Sequence, residues 1–154
     1  MGVHQYHLTV IPNEAAAARL QREAQVWTEQ PPLSFIEDLR QLLPKNNSWG
    51  GVEEFESVSQ WGSDLRIWRD DAETHIKAVE FRYAPLGDRI DVLSRFLDLV
   101  SRHGFLLVAR DSGRVIAPQI EAVVADLRRS SAYRFLSDPA GAILEGARKA
   151  NPKD

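Results

Sequence analysis

The chain has 154 residues, 44% hydrophobic and 27% charged, a composition that suits one globular domain large enough to build its own core. It contains no cysteine, which excludes disulfides, thiolate nucleophiles and thiolate metal sites. A net charge of −3 argues against non-specific nucleic-acid binding, and no apolar run approaches the roughly 18 residues of a membrane span.

The amino-terminal residues show no basic segment followed by a long apolar run, so the expectation is a cytoplasmic protein. Residues 1–154 read as a single domain with residues 150–154 frayed. Tyr6, Leu8 and Val10 alternate with Gln5, His7 and Thr9, predicting a half-buried strand that Pro12 stops. Asn13 caps a helix with Glu14 in its first turn and Ala15 to Ala18 propagating it, fading near Trp27, whose indole is expected to pack. Pro31-Pro32 imposes an extended break. Ser34, with Glu37 three residues on, predicts a capping box opening a short helix that buries Phe35, Leu39 and Leu42 and ends at Pro44. Lys45 to Gly51 reads as a loop, because Asn46-Asn47-Ser48 and Gly50-Gly51 favour turns.

Three strands follow in this reading: Phe55 to Trp61, Asp64 to Arg69, and Thr74 to Tyr83, the last two joined through Asp70-Asp71-Ala72-Glu73. Asp88 is the expected cap of a helix striped by Ile90, Leu93, Phe96, Leu97 and Val100, and Gly104 after His103 marks its end. The apolar run Phe105 to Ala109 predicts a central strand buried on both faces. Asp111-Ser112-Gly113 turns the chain into Val115-Ile116. Pro118 opens a helix with Ile120, Val123, Val124 and Leu127 inward, and Ser137-Asp138-Pro139 opens a last one.

The segment Gly113-Arg114-Val115-Ile116-Ala117-Pro118, followed by Glu121, by Leu127 to Phe135 and by Asp138-Pro139, resembles a group of small bacterial proteins. Proteins of this size and layout resemble the immunity proteins encoded beside secreted polymorphic toxins. That resemblance implies a protein-binding role; the matching residues are strand, turn and helix-cap positions, so no family active site is carried over onto them.

No catalytic, cofactor or metal motif stands in the chain. His4 and His7 fall on opposite faces of a strand, and His75 and His103 lie in different elements without a helical histidine partner. Asp70-Asp71 reads as turn chemistry rather than an acid–base pair. Residues 74–154 hold 13 basic and 10 acidic side chains, so Arg82, Arg110, Arg114, Arg128, Arg129 and Arg134 read as a mixed solvated surface rather than an anion or RNA site.

Negative charge and tryptophan concentrate between Glu53 and Glu73, where seven acidic residues meet two arginines, a net of −5. Trp61 and Trp68 lie inside this segment and Trp49 just before it. In the strand from Asp64, Leu65 and Ile67 take one face, leaving Asp64, Arg66, Trp68 and Asp70 on the other. Phe55 and Trp61 share parity with Ser57 and Ser59, so orientation in the preceding strand stays ambiguous.

These patterns predict an α+β domain: a mainly antiparallel sheet, including a parallel pair, with helices packed on one face. The leading functional expectation is an immunity- or antitoxin-like module that occludes a cationic protein through Asp64, Arg66, Trp68 and Asp70, with charge to steer and tryptophan to anchor. The alternatives are a small enzyme or ligand-binding protein assembled around His7, His75 and Arg82, and a structural subunit or homodimer. Nucleic acid, membrane and cofactor are not expected partners.

Overall fold

A computed structural model describes residues 5–59, 62–72, 74–85 and 87–130. The elements in chain order are β1 (Tyr6–Ile11), α1 (Ala15–Gln21), α2 (Leu33–Arg40), β2 (Lys45–Trp49), β3 (Val52–Glu56) and β4 (Asp64–Arg69). They continue with β5 (Ile76–Tyr83), α3 (Ile90–Arg102), β6 (Leu106–Ala109), β7 (Val115–Ile116) and α4 (Ile120–Leu127). Among the described residues the strands form one seven-stranded sheet of order β2-β3-β4-β5-β1-β6-β7. Every pairing in it is antiparallel, so the parallel pair expected from the sequence is replaced by β1 lying between β5 and β6 with opposite sense to both.

Register explains the two faces. Phe55, Leu65 and Phe81 are successive cross-strand partners, and Phe81 faces Leu8 on β1. All four are at most 1% exposed and form the inner face. The helices cover that face. Ala16 of α1, Phe35 and Leu39 of α2, Leu93 and Phe96 of α3 and Val123 of α4 join the same core, with Phe96 stacked on Phe81 at 4.2 Å between ring centroids. Trp27 packs as expected, its indole meeting Phe105 edge-on at 5.0 Å. The helices thus lie on one face of an α+β sheet, as the sequence predicted.

Several local expectations differ. α1 ends at Gln21 rather than near Trp27, because Glu23 takes a left-handed turn at φ 57°. Glu14 rather than Asn13 takes the cap position of α1, and Asn13 one residue earlier accepts the Ala16 N–H at 3.1 Å through its side chain. The Ser34–Glu37 capping box does not form: α2 starts directly after extended Pro32, which puts Ser34 inside the first turn. Lys45 to Trp49 is an edge strand, not a loop, held by pairing with β3. β3 begins at Val52 and ends at Glu56, earlier than the strand predicted from Phe55, and Val58 beyond it is 89% exposed.

At α3 the cap residue is Arg89. Asp88 serves the loop after β3 instead, accepting Ser57 Oγ at 2.7 Å and the Ser63 N–H at 2.5 Å. Ile90 is half exposed, while Leu93, Phe96, Leu97 and Val100 are buried as the stripe predicted. β6 lies one strand from the sheet edge, and Gly113 turns the chain into β7 at φ 73°. The predicted last helix, the frayed terminus, His4, Trp61 and Glu73 lie outside the described residues.

Candidate functional site

Alternation in β4 places its side chains as the parity argument required. Leu65 and Ile67 are fully buried inward, so Asp64, Arg66 and Trp68 stand on the outer face. Register then fixes their neighbours. Asp64 faces Arg82, and Arg82 in turn faces His7. Arg66 lies between Glu54 and Glu80, and Trp68 between Val52 and Ala78.

The outer face is charge-matched. Arg82 donates to both oxygens of Asp64, at 2.8 and 2.5 Å. Arg66 donates to Glu54 at 3.0 Å, and the Trp68 indole N–H donates to Glu80 at 3.1 Å. Bidentate guanidinium–carboxylate geometry is the strongest of these arrangements. Glu54 and Asp64 keep only 7% and 5% of their surface, so they cannot present free negative charge. Glu53 points inward, where Arg40 of α2 holds both its oxygens at 2.9 Å and Arg69 adds a further bond. The Arg40 hydrogen bond, with help from Arg69, pulls the Glu53 carboxyl down to about 2.

Asp70 lies beyond β4 in the turn toward β5. Its carboxylate accepts the N–H groups of Thr74 at 2.9 Å and His75 at 3.3 Å, which fits the turn role read from the sequence. Those backbone donors, Thr74 first, hold its carboxyl below the usual range. Asp70 is nevertheless partly exposed, and Asp71 beside it is exposed. Trp49 comes to the same end of the sheet. It is 54% exposed and stands edge-on to Trp68, with ring planes at 86° and centroids 6.2 Å apart. Val52 is the register partner of both indoles.

The opposite end of the same face is cationic. Asp64, Arg82 and His7 form a row across β4, β5 and β1, and Arg110 extends it, its N–H donating to the His7 carbonyl at 3.0 Å. His75 is not part of this row. It sits at the β4–β5 turn, roughly 23 Å along β5 from Arg82 at 3.3 Å per residue. The predicted convergence of His7, His75 and Arg82 therefore reduces to His7 and Arg82.

Sequence reasoning missed Glu54, Glu80 and Val52, which matter only through register, and it left Trp49 in a loop. Cross-strand parity of β5 against β4 carried part of that signal, since Glu80 and Arg82 alternate with Val79 and Phe81. On the helical side, a cleft of about 260 Å³ lies between α2 and α3, where Asp38 and Asp98 mingle with Arg95 and Arg102. Among the described residues no group of three potential ligands could hold a metal ion, and no helix is long and apolar enough to cross a membrane. No protein-family model, curated protein or solved structure matches the chain.

Proposed function

We propose that the protein is a binding module that occludes a cationic protein segment at the tryptophan end of its outer sheet face. The observation that carries this reading is the exposed Trp49, held edge-on against Trp68 beside Asp70 and Asp71. Large rigid indoles bury much area at low entropic cost, and a cation is attracted to their faces. Asp70 and Asp71 supply the charge that favours a cationic partner and speeds its approach.

This reading narrows the expectation drawn from the sequence. Asp64 and Arg66 are engaged with Arg82 and Glu54, so they stiffen the face behind the contact rather than attract a partner. Trp68 supports Trp49, and the partner-facing residues become Trp49, Trp68, Asp70 and Asp71. The resemblance to immunity proteins makes a secreted toxin the natural candidate partner. No chemistry is required of the module. Replacing Trp49 with serine and measuring partner affinity tests the reading directly.

A further inference from the structure

We propose that His7, Arg82 and Arg110 form a binding site for a small oxyanion of the phosphate or carboxylate type. The site lies at the other end of the face from Trp49, about 13 Å along β4 from Trp68 at 3.3 Å per residue, and stands independently of the partner reading.

Three hydrogen-bond donors adjoin here. Arg110 Nη1 donates to His7 Nδ1 at 3.2 Å, which assigns the ring proton to Nε2 and makes that nitrogen a donor. Arg82 spends the N–H of Nε and one of Nη2 on Asp64, leaving three N–H bonds, two on Nη1 and one on Nη2. Arg82 and His7 are cross-strand partners, so their side chains stand side by side on the outer face. Arg110 is exposed, and among the described residues its guanidinium makes no ion pair; its side chain is held only by the imidazole.

Asp64 offsets Arg82 and the imidazole is neutral, and among the described residues no carboxylate forms an ion pair with the Arg110 guanidinium. Half-burial first, then Arg82 and Arg110, lower the His7 imidazole to about 4, against the opposing pull of Asp64; Arg66 adds to the lowering. A guanidinium leaning on an unprotonated imidazole beside a second guanidinium sets N–H donors from three side chains next to one another. Phosphate or carboxylate oxygens accept from such planar donors in pairs, which gives geometric selectivity over chloride.

The test is an NMR titration of the His7 ring signals with inorganic phosphate and, separately, with acetate, at constant ionic strength set by sodium chloride. Saturable movement with phosphate or acetate is expected, along with an upward shift of the His7 titration midpoint when the site is filled. The ion that saturates at lower concentration identifies the oxyanion class. Arg110→Gln should weaken binding at least tenfold, whereas Arg114→Gln and Trp49→Ser should change it less than twofold. Movement that never saturates, or an Arg110→Gln protein that binds as tightly as the parent, overturns the proposal.

Discussion

Trp49 and Trp68 sit on alternate strands, β2 and β4, and meet over Val52 of the strand between them, each being its cross-strand partner. The edge strand β2 carries little that would hold it by itself: Lys45 and Asn46 are exposed, and among the described residues it pairs on one side only. Aromatic pairs of this geometry contribute about 0.5–1.5 kcal/mol beyond area burial. The contact that presents Trp49 to a partner therefore also helps to hold the strand that carries it.

Glu53 locks α2 to the sheet through Arg40 and Arg69. Glu53→Gln should lower unfolding free energy by about 2 kcal/mol, because it leaves two arginines facing a neutral amide while Arg40 stays partly wet. The acid dependence follows from the lowered carboxyl. Its contribution is complete above the ordinary glutamate range and is lost as pH falls from about 5 toward 2. Urea midpoints at pH 7 and pH 3 should converge more closely in the variant than in the parent.

Gly62 has no room for a side chain. A Cβ there would lie 2.6 Å from Ser57 Cβ and 2.8 Å from the Ser59 carbonyl oxygen. Gly62→Ala should cost about 1–3 kcal/mol, as overpacking does, and should open the Ser57–Asp88–Ser63 bonds. Amide exchange at Ser63 should then quicken well beyond what the change in global stability accounts for.

The Tyr6 hydroxyl donates to Asp126 at 2.7 Å in the core, joining β1 to α4. Burial and the Asp126 bond both raise the phenol above its usual range. Among the described residues Asp126 Oδ1 has no partner, so removal of the hydroxyl would leave the carboxyl without a side-chain donor there. Tyr6→Phe should destabilise by about 1–3 kcal/mol, and Asp126→Asn in the same background should return part of that loss. A double-mutant cycle in urea measures it.

The fold was legible where one apolar face alternates or repeats cleanly. Leu65 and Ile67 in β4, and Leu93, Phe96, Leu97 and Val100 in α3, announced which way their elements turn. β2 was not, because Lys45-Asn46-Asn47-Ser48 carries turn formers and no alternation; only its pairing with β3 makes it a strand. Asp88 was ambiguous for a similar reason. A helix cap and a loop brace use the same carboxylate, and the choice depends on Ser57 and Ser63 arriving from β3 and β4. Half of the site followed from parity: Trp68 faces outward as read. The neutralisation of Asp64 by Arg82 and Arg66 by Glu54 depended on register, which no single strand encodes.

His7 should titrate far below an ordinary histidine, near pH 4. Its unfolded form takes up a proton at about pH 6.5, so the folded state loses stability as pH falls from about 6.5 to 4. Arg110→Gln removes one of the cations that disfavour imidazolium. The His7 midpoint should rise in that variant, read from its ring carbon and proton shifts across the titration.

The most direct test is the affinity of Trp49→Ser for a partner captured by the unmodified protein. Trp49 is exposed and lies outside the core, so the variant should keep its fold, which circular dichroism verifies. At least a tenfold loss of affinity is expected, with association by the unmodified protein slowing as salt is raised. An unchanged affinity, or no partner that distinguishes the two proteins, would contradict a binding role for the tryptophan end of the sheet.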